Sequence, residues 1–129
     1  MSTFELRIIE HGEPELWPIL GPLMASEEVA KKRGGYPMFS KPGQTWIFAI
    51  RDGTVVGFNS VLNGRPARML YAFAWGDSEV YEAVVRAADS MASPLQSTVL
   101  KTNLPVLLGL GFKKVGDKGA RYAIVVKGG

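Results

Sequence analysis

The chain has 129 residues, 47% of them hydrophobic and 21% charged, and a net charge of +3. That length supports one core and is too short for two. There is no cysteine, which excludes disulfides, thiolate catalysis and cysteine-ligated metal. No apolar run approaches the roughly 20 residues that span a bilayer. The N-terminus also lacks the basic-then-apolar pattern of a signal peptide, so the expected setting is the cytoplasm, with no membrane partner. The small positive charge permits an anionic partner, but nothing in the sequence supports nucleic acid specifically.

Residues 4–9 alternate apolar and charged side chains, as a half-buried strand does. Residues 13–33 have helical composition interrupted by Pro18, Gly21 and Pro22, which predicts two short helices at 14–20 and 22–32. A loop rich in turn formers follows at 34–43. The clearest hairpin joins 46–51 to 54–62 through Asp52 and Gly53, a pair that tolerates the positive angles of a primed turn. Asn63 and Gly64 turn the chain into a third strand, 67–75, completing an antiparallel meander.

Beyond Trp75 the period changes. Val80, Tyr81, Val84, Val85, Ala88 and Met91 recur at helical spacing, with Glu79, Glu82, Arg86 and Asp89 on the opposite side. Asp77 or Ser78 caps the start of this helix, and Ser93 and Pro94 end it. A helix between 67–75 and the apolar strand 95–101 is a crossover, so those two strands should run parallel. Asn103 then caps a short helix with its side chain, Pro105 falls in the first turn, and Gly111 supplies the left-handed stop. A turn at 116–119 folds the last segment into a hairpin ending at Lys127.

This order is strand, two helices, meander, helix, parallel strand ending near Asn103, helix, and a hairpin opened by Gly111 and Phe112. It resembles the GCN5-related N-acetyltransferase (GNAT) superfamily over essentially the whole chain. The resemblance implies an α+β fold: one domain over 1–129, with a mixed, mostly antiparallel sheet flanked by helices and a parallel pair, 67–75 with 95–101. It implies that these two strands splay apart and admit acetyl-coenzyme A, with the backbone from Tyr71 through Phe73 and Ala74 to Trp75 facing the thioester. The family's glycine-rich diphosphate loop corresponds here to Trp75, Gly76, Asp77 and Ser78, leading to Glu79 and Val80. Bare amides at a helix N-terminus suit a diphosphate, yet this segment keeps one glycine and places two carboxylates there. Arg86, Lys113 and Lys114 are cations that could answer the phosphates.

For catalysis the resemblance points to Asn103 and, as ionisable groups, Tyr71 and Tyr122. A phenol is a poor base near neutrality unless a cation stands beside it, and from the residues alone both tyrosines read first as packing groups with the hydroxyl on backbone. His11, the single histidine, reads as a solvated loop residue, and no zinc site is expected without a second histidine or a cysteine. Lys31, Lys32 and Arg33 complement a helix dipole. The implied activity is transfer of an acetyl group to an amine of a small molecule or protein. The amine would enter near 34–43 and the early helices. The alternatives are a non-catalytic binding protein of the same fold, or a phage-type GNAT-like protein acting on nucleic acid or in the virion.

Overall fold

The Asp52–Gly53 hairpin organises the N-terminal half of the sheet. Asp52 and Gly53 both take positive φ, 51° and 77°, and join β2 (Gln44–Arg51) to β3 (Thr54–Leu62). The computed structural model describes residues 3–33 and 38–128. Before the hairpin come β1 (Glu5–Glu10), α1 (Leu16–Ala25) and α2 (Glu27–Lys32). After it come β4 (Ala67–Ala74), α3 (Ser78–Met91), β5 (Leu95–Leu100) and a 3-10 turn (Lys101–Asn103). The chain closes with α4 (Leu104–Gly109), β6 (Lys113–Lys118) and β7 (Tyr122–Lys127). Among the described residues one seven-stranded sheet results, in the order β1-β2-β3-β4-β5-β7-β6, in which only β4 and β5 pair in parallel.

Alternation along β2 builds a core on each face of the sheet. Ile47 and Ala49 join Val80, Val84, Val85 and Ala88 of α3, with Leu107 of α4, on one face. Trp46 and Phe48 join Leu16, Leu20 and Val29 of α1 and α2, with Phe58 and Phe73, on the other. The α3 stripe is the periodic one expected, except that Met91 is 38% exposed at the last turn rather than packed. Asp77 is the cap: its carboxylate accepts from the Val80 amide at 3.1 Å.

Several expected boundaries move, each for a local reason. The break between the early helices lies at Ser26, not at Gly21 and Pro22. Pro18 falls in the first turn of α1, the helix runs on through Pro22, and the Ser26 hydroxyl accepts from the Val29 amide to start α2. β1 is an edge strand with only Ile9 buried, while Leu6 and Ile8 stay 40% and 46% exposed. Asn103 does not cap α4 with its side chain, because its φ and ψ of −93° and −7° are helical rather than extended. The final turn lies at 119–121. Gly116, Asp117 and Lys118 instead pair with Ile124, Ala123 and Tyr122 as strand. Gly111 behaves as expected. At φ 96° its amide reaches the Leu108 carbonyl while the Phe112 amide reaches Leu107, a Schellman stop that seats Phe112 against the core. Of the predicted 34–43 loop, residues 34–37 lie outside those described, and 38–43 hold no helix or strand.

Gly57 sets how closely α3 approaches the sheet. A Cβ there would overlap Val80 Cγ1 and come within 3.0 Å of the Phe73 carbonyl oxygen. Gly57→Ala should therefore lower stability in urea unfolding by about 1–3 kcal/mol. Gly21→Ala, inside α1 with nothing within 4 Å of the added atom, should raise it by roughly 0.5–1 kcal/mol. A neutral Gly57→Ala would mean that α3 does not pack this tightly.

Candidate functional site

Parallel pairing between β4 and β5 stops almost as soon as it starts. Ala67, Arg68 and Met69 pair with Leu95, Gln96 and Ser97, and no pair follows. At the same level β4 carries an extra residue against β3. Phe58 faces Phe73 and Ser60 faces Leu70, so Tyr71 and Ala72 share the space opposite Asn59. Tyr71 sits in this bulge at φ 72°, one of two non-glycine residues with positive φ among those described. Such strain persists only where the surroundings hold it.

Four polar residues supply that hold. Gln44, Asn59, Ser60 and Ser97 are the buried polar side chains among the described residues, and all four bond at the bulge or the strand fork. The Ser97 hydroxyl donates to the Met69 carbonyl at 2.8 Å, at the last paired position. The Ser60 hydroxyl donates to the Leu70 carbonyl at 2.8 Å and accepts from Gln44 at 2.9 Å. Asn59 accepts from the Ser60 amide at 2.8 Å and donates to the Val84 carbonyl of α3 at 3.0 Å. Side chains thus bond backbone groups along the irregular ladder, and Asn59 also ties it to α3.

The fork opens a cavity of about 820 Å³. Its lining comes from both faces of the sheet. Ala72, Ala74, Val99 and Tyr81 belong to the α3 side, while Tyr71 and Phe73 belong to the side of α1 and α2. The opening therefore passes through the sheet. Of the residues singled out from sequence, Tyr71, Phe73, Ala74, Asn103 and Tyr122 line it. Trp75, Gly76, Asp77 and Ser78 do not. Trp75 packs edge-on against Phe73 at 4.8 Å and donates to Glu28 at 2.8 Å. Gly76 donates to the Ala74 carbonyl at 2.8 Å.

Tyr71 and Tyr122 are brought together by Arg33. The Arg33 guanidinium lies 4.7 Å from the Tyr71 ring centroid, and the Tyr122 hydroxyl donates to the Arg33 carbonyl at 3.3 Å. The Tyr71 hydroxyl accepts from the Phe39 amide at 3.4 Å, and its ring stacks on Trp46 at 5.9 Å. Burial holds the Tyr71 phenol above its ordinary value, outweighing the Phe39 amide and the Arg33 charge. The neighbouring cation therefore does not make Tyr71 a base. It remains a proton carrier and hydrogen-bond donor at neutral pH.

The N-terminus of α3 is already occupied by its own cap. Asp77 takes the Val80 amide and an ion pair with Arg51 at 3.4 Å. The Val80 amide, ahead of Arg51, holds its carboxyl below the usual range. Arg86 pairs with Glu82 and Lys114 with Asp117, both at 2.8 Å, so neither answers the loop. His11 shares a 2.7 Å hydrogen bond with Ser40 and is a structural tie. No group of three His, Cys, Asp or Glu among the described residues is placed to hold a metal.

The cations of the cavity, Lys32, Arg33, Arg68 and Lys118, were not legible as site residues in the sequence. Arg68 carried a signal, since it alternates with Ala67 and Met69 and so points to the opposite face. Lys118 was hidden by the misplaced hairpin turn.

Asn59→Ala should cost about 2–3 kcal/mol, because it strips buried backbone groups on two elements of a partner. Ser97→Ala should cost about 1 kcal/mol. Equal, negligible losses in chemical denaturation would show that the fork does not depend on these bonds.

No family model matches the sequence, and no curated protein matches it either. Solved structures do. Escherichia coli ElaA superposes with a TM-score of 0.79 at 11% identity, covering 97% of this chain and 99% of that one. An acyl-CoA N-acyltransferase from Pseudomonas aeruginosa gives 0.78 at 12% identity, with the same coverage of 97% and 99%. An acetyltransferase from Thermus thermophilus gives 0.68 at 17% identity, covering 98% and 99%. With β4 parallel to β5 in a mixed sheet flanked by helices, the chain has the fold of the GCN5-related N-acetyltransferases.

Proposed function

We propose that the chain is an N-acyltransferase that uses acetyl-coenzyme A and acts on an amine of a small molecule or protein. The observation that carries this reading is the fork between β4 and β5, with β4 unpaired on its β5 side from Leu70 onward. Backbone groups there are placed to bond an amide-containing arm, and Ala72, Ala74 and Val99 offer it an uncharged slot. The donor's thioester supplies an activated acyl carbon: the C–N bond forms as the C–S bond breaks, the ammonium gives up a proton and the thiolate gains one. The diphosphate end fits less well, because Asp77 already occupies the amide it would need. On this reading the cap must yield to the donor.

The residues then divide the work. Asn103 and the β4 backbone position the donor, and the Tyr71 phenol, kept protonated by burial, donates a hydrogen bond or proton within the opening. No carboxylate lines the cavity among the described residues. Deprotonation of the amine is instead favoured by the cations beside it, which disfavour an ammonium. The rate should therefore rise with pH through the neutral range, with no fall from Tyr71 ionisation below about pH 10. A descending limb near neutrality would assign the chemistry to another group.

One observation favours a second reading, a binding protein without catalysis: the Asp77 cap holds the helix N-terminus closed to phosphate. No observation favours a phage-type role. Acetyl-coenzyme A at about a hundred times its dissociation constant should stabilise the protein by about 2.7 kcal/mol, several degrees in a melt. Asp77→Asn with Glu79→Gln keeps a capping side chain, removes two charges and should tighten binding, most at low salt. No shift in the wild type or the double variant would remove the acyltransferase reading.

A further inference from the structure

The charge of the cavity is one-sided. In paired strands, directly opposite residues share a face. Arg68 faces Gln96, Leu100 faces Tyr122, and Lys118 faces Tyr122, while Gln96 and Leu100 stand four apart on β5. Arg68, Tyr122 and Lys118 thus lie on one face, opposite the one where Met69 and Val99 pack with α3. Lys32 and Arg33 reach the same mouth from the end of α2, with Arg33 over the Tyr71 ring. This side carries four cations and, among the described residues, no carboxylate in the lining. No ion pair among the described residues engages Lys32, Arg68 or Lys118. Asp117, the nearest acid along β6, faces Ala123 on the other side and pairs with Lys101 and Lys114 at 3.3 and 2.8 Å.

A cationic amine entering such a mouth alone would be repelled. We infer that the acceptor carries an anionic group, a carboxylate or a phosphate, beside its reacting amine, and that Arg68 and Lys118, with Lys32 and Arg33, bind it. This inference rests on the acyltransferase reading, in which the donor occupies the α3 side and the acceptor the side of α1 and α2. The anion anchors the acceptor while the same positive field favours the neutral, nucleophilic form of its nitrogen. Arginine suits either anion, because its guanidinium forks onto two oxygens.

The test compares matched probes in the presence of coenzyme A. D-glucosamine 6-phosphate and L-glutamate represent the phosphate and carboxylate arms, against D-glucosamine and spermidine, with calorimetry as the readout. At least one anion-bearing probe should bind roughly tenfold more tightly than the two amines that carry no anion at low salt, with the advantage shrinking as salt rises. Which probe wins identifies the anion. In Arg68→Glu with Lys118→Glu, both exposed positions, that preference should vanish while coenzyme A binding, measured separately, stays the same. Equal or better binding of spermidine overturns the inference, as does a preference that survives the charge reversal. A charge reversal that weakens coenzyme A itself also overturns it, because the cations would then serve the donor. Absence of coenzyme A binding to the wild type would instead defeat the underlying acyltransferase reading.

Discussion

Everything in this molecule turns on the early end of one ladder, where β4 and β5 separate after the pair of Met69 and Ser97. Two parallel strands in a sheet ordinarily continue to exchange hydrogen bonds, because unmade backbone bonds are costly. Here they do not, and the cost is confined by chemistry placed at that point. The Ser97 hydroxyl closes the last pair, Ser60 takes the Leu70 carbonyl, and Asn59 spans the bulge from β3 to α3. The buried polar residues of the described chain are thus gathered at the fork and not scattered through the core. That distribution turns a gap in a sheet into a defined opening.

The opening joins two unlike environments. On the side of α3 it is bounded by Ala72, Ala74, Val99 and the ring of Tyr81, with no charged group among them. On the other it is bounded by cations and by two tyrosines gathered around Arg33. Tyr71 belongs to both descriptions, since its backbone makes the bulge and its phenol stands at the cationic mouth. Strained backbone of this kind clusters at ligand-binding positions, and here it falls on a residue that lines the opening.

The path of the fold was legible where local chemistry dominates. Asp52 and Gly53 dictate a hairpin, the α3 stripe dictates a buried face, and Gly111 dictates a Schellman stop. The crossover connection then makes β4 and β5 parallel. What sequence pattern could not convey is set by tertiary geometry. A proline is expected to end a helix, yet α1 runs through Pro22 and the chain breaks where Ser26 can cap. Asn103 looked like a cap because of its type, but caps need an extended backbone that the 3-10 turn denies it. Of the cavity lining, Tyr71, Phe73, Ala74, Asn103 and Tyr122 had been singled out through the family resemblance. The buried polar latch and the cation cluster were not, since each joins residues tens of positions apart.

On the proposed reading, the fork between β4 and β5 is a ligand site. Backbone amide chemical-shift mapping with coenzyme A tests it directly. The largest, saturable changes should fall at Tyr71, Ala72, Phe73 and Ala74, with smaller ones along β5 and at Asn103. Coenzyme A that leaves these amides unmoved, or changes that gather on a part of the surface away from the fork, would show that the fork is not the site.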